Sequence, residues 1–357
     1  MIRMGGVKGF VPARSQAFFA FSRKIFPGSF LWEVMVTLAP QRAINILLSL
    51  AGFFLICGCA ATKVAPHPLA TVPGISRHFT IGQIVELNSG EALSFDELVG
   101  KIAAKDLIFI GEVHDNPEHH LIQVQILQAL AHRGRRFALG MEYFQVPDQE
   151  EINRYLKAET TEEEFLRGVD WMGSWGYDYR FYRPLLLLAK AQGIEVLAVN
   201  APKEIVRKIA RGGLETLSSD ERSRLPQDID LDNEAHRTYV LEAYKQEAHH
   251  ELPNFDSFYE AQCVWEETMA HNISAYLKDK KNKMVVLVGN GHIVNKFGIP
   301  LRTTRRVPVS LVTIMPHPLD GKITIDKGTA DYVWLTPKYP HRSVNMLRHR
   351  QARGRPR

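Results

Sequence analysis

Glu112 and His114 stand two residues apart in the run Gly111-Glu112-Val113-His114-Asp115-Asn116-Pro117, and His292 closes Gly289-Asn290-Gly291-His292. Glu142 follows Gly140-Met141, and Asn200 precedes Ala201-Pro202. Two carboxylates and two imidazoles could hold a divalent metal with an open position for water. Glu112, His114 and His292 would then bind or position the metal, with Glu142 as general base to its water. The chemistry would be that of a metal-dependent hydrolase, of peptidase or esterase type. Equally, the same four residues could form a hydrogen-bonded network beneath a pocket. The chain has no H-E-x-x-H, no C-x-x-C-H and no Walker sequence, and Val294 fills the third glycine's place in a dinucleotide fingerprint.

A second group of residues concerns what would fill such a pocket. Trp171, Trp175, Tyr177, Tyr179, Phe181 and Tyr182 are six aromatics in twelve residues, where a 10% aromatic content predicts about one. With Gly and Asp between them, they read as a wall for a flat ligand. His119-His120 and His249-His250 add imidazoles. Histidine and tyrosine are both axial ligand types for haem iron.

These residues need elements to position them. Leu107–Ile110, Phe137–Met141, Ile194–Val199, Met284–Val288 and Val307–Ile314 are short apolar runs, with loops and helical stretches between them. Such alternation predicts an α/β fold: a mostly parallel sheet flanked by helices. Glu112, Glu142, Asn200 and His292 then all lie at carboxyl ends of strands, the edge where open α/β sheets bind ligands. Asn116 and Pro117 are a good N-cap and first helical residue. Ser94 with Glu97 is a capping box opening a helix to about Ala104, and residues 79–94 suggest a short hairpin. A helical insertion over about 202–282 precedes the last strands. Its final helix carries a stripe at Phe258, Gln262, Trp265, Met269, Ile273 and Tyr276, with Gln262 its polar member.

Residues 43–56 are an uncharged apolar run, too short to span a bilayer but right for a signal-peptide core. It leads into Ile56-Cys57-Gly58-Cys59, where Cys59 fits a lipoprotein processing site. Residues 1–58 are therefore read as a signal peptide, with Met35 the expected true start, and 59–77 as a lipidated N-terminus and tether. Ala60 in place of an acidic residue after Cys59 favours the outer membrane of a bacterial envelope, facing the periplasm or surface. The whole chain has 357 residues and a formal charge of +5. The leader holds six basic residues against one acidic, so from Cys59 onward the chain is formally neutral. Six arginines without an acid fall in a tail over 341–357, expected to be disordered, so the body at 78–340 is acidic. That does not suit a nucleic-acid binder. Three cysteines exclude a disulfide framework.

GEVHDNPEHH at 111–120, the Glu142 strand end, YRPLL at 182–186, the Asn200/Pro202 loop, AQCVWEETMA at 261–270 and VLVGNGHIVNKFGIP at 286–300 carry a resemblance. Together they resemble the ChaN family of haem-binding uptake lipoproteins, in order over about residues 78–315. The wider superfamily includes Tiki and TraB-type proteins and the erythromycin esterases. The resemblance implies an α/β fold with a helical insertion, haem binding linked to iron acquisition, tyrosine ligation of the iron, and pairing of subunits around the haem. A transport receptor would be a further partner, of unknown identity. By position, Tyr143, Tyr177, Tyr179 and Tyr182 are the candidate tyrosines, with His119 and His120 beside them, and nearby His or Lys would pair with the propionates. Glu266 departs from the Asp often seen after the tryptophan of the insertion motif. Carry-over from the hydrolase-like relatives lands on Glu112, His114, Glu142 and His292.

Overall fold

The computed structural model describes residues 67–246, 254–279 and 282–339. The leader, Cys59, His249-His250 and the tail at 341–357 lie outside the described residues. Among the described residues, no helix is long and apolar enough to cross a membrane.

Ten strands are described, β1 (Leu69–Thr71), β2 (Ile84–Glu86), β3 (Glu91–Leu93), β4 (Leu107–Glu112), β5 (Ala138–Gln145), β6 (Val196–Asn200), β7 (Met284–Gly289), β8 (Leu311–Leu319), β9 (Lys322–Thr324) and β10 (Tyr332–Pro337). Eight form one sheet in the order β3-β2-β10-β8-β4-β7-β5-β6. From β10 to β6 every pairing is parallel, and β2 and β3 add an antiparallel edge. This is the α/β class with a mostly parallel sheet. β2 and β3 form the hairpin that residues 79–94 suggested. β1, within the stretch read as tether, pairs in parallel with β9.

The central strands are apolar on both faces because both are covered. Ile108 and Ile110 of β4 and Val285 and Leu287 of β7 pack with α1 (Phe95–Ile102), α2 (Pro117–His132) and α6 (Tyr179–Gln192). Between α2 and α6 come the short α3 (Gln149–Leu156), α4 (Glu162–Gly168) and α5 (Trp171–Ser174). Leu107 and Phe109 of β4 and Val286 and Val288 of β7 face the other way. There they meet α10 (Phe255–Leu277) and α11 (Ile299–Arg306). The Ser94/Glu97 capping box opens α1, and Asn116 caps α2 with Pro117 in its first turn. The region between β6 and β7 carries α7 (Lys203–Gly212), α8 (Ser219–Ser223), α9 (Glu234–Gln246) and α10.

Two boundaries differ from the sequence expectation. Val307 ends α11 as its C-cap, and β8 starts only at Leu311, because Pro308 and its surroundings form the turn between them. β5 runs on past Met141 through Glu142 and Tyr143 to Gln145. It does so through an irregularity: Met141 faces Ala198 but Gln145 already faces Asn200, so extra β5 residues bulge out beside the site.

Candidate functional site

The carboxyl ends of β4, β5, β6 and β7 deliver Glu112, Glu142 with Tyr143, Asn200 and Gly289 to one edge of the sheet. Glu112 is buried and surrounded by donors. His114 Nδ1 lies 2.8 Å from its Oε1, Gln123 donates to its Oε2 at 2.9 Å, and the Tyr143 hydroxyl donates to Oε2 as well. The Tyr182 hydroxyl reaches Oε1 at 3.3 Å, and His120 Nδ1 lies 3.4 Å from Oε2. Burial alone would raise the Glu112 carboxyl, but His120, His114 and Tyr143 outweigh it and hold it down at about 2. Glu112 is an anion fixed by its neighbours.

Glu142 forms a second cluster. Gly289 N–H donates to its Oε2 at 2.6 Å, and His292 Nε2 lies 3.3 Å from its Oε1. The other ring nitrogen of His292 lies 3.1 Å from Glu266 Oε1, so both nitrogens face carboxylates. Burial opposes the charged imidazole, yet Glu142 and Glu266 overcome it and push His292 up to about 10. Carboxylates on both sides of the ring thus favour the imidazolium form of His292. Behind it, Glu266 accepts from Gln262 Nε2 at 2.8 Å and from Arg302 Nε at 3.3 Å, with His236 Nε2 3.1 Å away.

Glycine is required where these clusters touch. A Cβ on Gly289 would stand 2.9 Å from His114 Cε1, and one on Gly111 would stand 2.0 Å from Asn290 Oδ1. The two glycines let the Glu112–His114 loop and the Asn290–His292 turn close on each other.

Above the clusters opens a cavity of about 270 Å3. Its aromatic lining comes from Tyr143, Trp175, Tyr177 and Trp265, joined by His114. The His114 ring sits 4.8 Å edge-on from Trp175 and 5.0 Å from Tyr177. Lys203 and Arg207 of α7 complete the rim, and among the described residues no Asp or Glu lines it. Trp171 Nε1 donates to Tyr177 O at 2.8 Å, and Lys203 Nζ donates to Gly173 O at 3.0 Å. The first closes the aromatic segment on itself and the second ties it to α7, while Gln145 Nε2 of β5 donates to Ser174 Oγ at 3.0 Å and Gly176 at φ +85° makes its turn.

The expected site residues are thus distributed over three positions. Tyr143, Tyr177 and His114 line the cavity. Glu112, Glu142, His292, Tyr182 and His120 lie buried, outside that lining. Tyr179 packs edge-on against Trp171 and does not line the cavity. His119 is structural: it accepts from Val113 N–H at Nδ1, so its proton is on Nε2, facing Thr336 Oγ1 at 3.0 Å. Burial takes it down to about 3. The aromatic wall is shorter than the sequence implied, because Asp178 caps α6 and draws Tyr179, Phe181 and Tyr182 into that helix.

The divalent-metal arrangement expected of Glu112, His114 and His292 is not assembled. Among the described residues no three His, Cys, Asp or Glu groups come together as a metal site. Glu112 is taken up by four hydrogen-bonding groups, and His292 is held between two acids. The sequence reading missed Gln123, His236, Arg302, Lys203 and Arg207. Only Gln123 carried a signal, as a polar residue one turn beyond His119 on a buried helical face.

Comparison with known proteins adds the following. The family model for haem-binding uptake, Tiki superfamily, ChaN matches residues 98–303. Among solved structures, the one described as cofacial heme binding to ChaN of Campylobacter jejuni has a TM-score of 0.57 at 19% identity, over 70% of this chain and 95% of that one. An erythromycin esterase mutant in its open conformation gives a TM-score of 0.40 at 11% identity, covering 62% of this chain and 73% of that one. Protein RETICULATA-RELATED 5, chloroplastic, of Arabidopsis thaliana is 22% identical over 261 residues, 67% of this chain. This chain spans 35% of that relative's length.

Proposed function

Because the chain belongs to the family of haem-binding uptake proteins, Tiki superfamily, ChaN, we propose that its aromatic cavity binds haem in the service of iron uptake. One observation carries the reading. The cavity at the sheet's carboxyl edge is walled by four aromatic side chains, rimmed by Lys203 and Arg207, and, among the described residues, lined by no carboxylate. A flat, dianionic iron porphyrin fits that donor set: rings for its faces, cations for its charge.

Tyr177 is the residue to ligate ferric iron. A tyrosinate oxygen is needed, and burial followed by the Glu112 charge holds Tyr143 and Tyr182 far above the ordinary phenol range. Both already direct their hydroxyls to Glu112. Tyr177 is half-buried at the cavity wall. When bound, the haem supplies a ferric centre for an axial oxygen ligand. Glu112 and His114 orient the wall beneath it.

A cavity of about 270 Å3 falls below the roughly 300–1,000 Å3 that encloses a drug-sized ligand. It grips part of a porphyrin, and a second copy of the chain covers the rest. Acylation at Cys59 would tether the domain to the envelope, on the outer membrane and facing the periplasm or surface.

Hemin titrated into the full chain in non-ionic detergent gives a saturable, shifted Soret band. Tyr177→Phe weakens binding and alters the band, whereas Tyr143→Phe leaves the band position unchanged. An unsaturable titration would overturn the haem reading. An unaltered titration of Tyr177→Phe would overturn the ligand assignment alone.

A further inference from the structure

The charge on α7 is arranged in a row. Lys203, Arg207 and Arg211 recur every four residues along one stripe of the helix, while Ile205 and Ile209 turn inward against Ala261 and Val264 of α10. Arg207 belongs to the lining of two cavities, the aromatic one and a neighbouring groove of about 480 Å3 that also takes in Lys208, Arg211 and Thr216. Arg207 is the residue the two linings share.

Neighbouring charges are already paired. Lys208 Nζ lies 2.6 Å from Glu221, and Glu204, the acid in the groove, lies 3.1 Å from Arg224. Arg207 and Arg211 are exposed, and among the described residues neither forms an ion pair. A guanidinium offers a rigid fork that matches a carboxylate in two bonds. Two such forks one helical turn apart, leading out of an aromatic cavity, suit a ligand with a flat apolar body and carboxylates on one edge.

We infer that Arg207 and Arg211 form a carboxylate-reading arm that selects the acidic porphyrin over its neutral esters. The inference rests on the haem reading and adds to it the residues that set selectivity. Aromatic walls bind any flat porphyrin, whereas the arm distinguishes ligands by charge.

The test compares hemin with hemin dimethyl ester on the full chain, at fixed non-ionic detergent and two salt concentrations. The wild-type chain binds hemin about tenfold more tightly than the ester, the size expected of two exposed charge pairs acting together, and added salt narrows the gap. Arg207→Ala/Arg211→Ala loses that preference while both ligands still give saturable, shifted Soret bands, which a merely unfolded variant does not do. Arg207→Lys/Arg211→Lys recovers part of it. Equal binding of acid and ester by the wild type, or a preference that survives the double alanine change, would overturn this inference while leaving haem binding intact. Absence of binding to either ligand would overturn the haem reading and this inference with it.

Discussion

Replacing Glu266 by Gln tests the buried charge network most directly. The carboxylate is fully buried and meets four nitrogen groups: Gln262 at 2.8 Å and His292 at 3.1 Å on Oε1, Arg302 at 3.3 Å and His236 at 3.1 Å on Oε2. Glutamine keeps the shape, removes the charge and turns an NH2 group toward donors. Removing one partner of a buried pair costs about 3–5 kcal/mol, because the remaining charge stays desolvated. The low end applies, since Arg302 keeps Glu267 and His292 keeps Glu142. About 3 kcal/mol corresponds to a melting temperature lower by roughly 6–12 °C in a domain of this size. A second readout is alkaline stability. His292 rises from 6.5 to about 10 on folding, so its contribution is complete below pH 6.5 and is lost as pH climbs through about 10. That contribution is bounded at about 5 kcal/mol and is shared with both glutamates. With Glu266 neutral, less of it remains, so the variant loses less stability than the wild type between pH 7 and 10. Urea unfolding of both proteins across that range, followed by circular dichroism, measures the difference. Less than about 1 kcal/mol lost at pH 7, together with an unchanged alkaline limb, would refute the doubly held imidazolium.

Two further substitutions test the framework around the site. Gly289→Ala places a methyl 2.9 Å from His114 Cε1 and displaces that ring; it should cost about 1–3 kcal/mol in urea unfolding and weaken the hemin titration. His119→Gln should cost about 1 kcal/mol at neutral pH by loss of buried hydrogen bonds. Because His119 falls from 6.5 to about 3 on folding, its neutral form stabilises the fold above pH 6.5 and progressively less as pH drops toward 3. The variant's acid limb should therefore be flatter than the wild type's over that range, as read by unfolding at pH 4 and pH 7.

Much of this architecture was legible because parallel strands covered on both faces must be apolar throughout. Leu107–Ile110 and Met284–Val288 stand out for that reason, and the residues at their ends announce the site. β10 was harder to read. Its parallel partner β8 is joined to it through β9 and a loop, and Thr336 and Pro337 break its apolar run. Pro184, inside α6, obscured the helix that Asp178 caps, so Phe181 and Tyr182 read as loop aromatics. The polar residues behind His292 were hidden for another reason. Gln262 and Glu266 stood out in the stripe and the insertion motif without a visible partner, Arg302 looks like an exposed helical position until α11 docks on the sheet, and His236 gives no sign of its partner 30 residues away.

The acid-rich strand ends also account for a cavity that suits an anion. Glu112 turns away from the opening, because Tyr143, Tyr182, Gln123 and His114 all reach it from around and below. Glu142 is drawn down by Gly289 N–H and His292, whose far side is held by Glu266. Each carboxylate is neutralised within the protein, and each pulls a partner into a fixed place. His114 is one such partner. Burial works against its charge, but Glu112 and Glu142 raise its affinity for a proton, so the ring facing the cavity is biased toward the cationic form. The glutamates thereby shape a wall that is aromatic and positive without appearing in it. A change at Glu112 or Glu142 acts on ligand binding through the orientation and charge of His114, even though neither carboxylate meets the ligand.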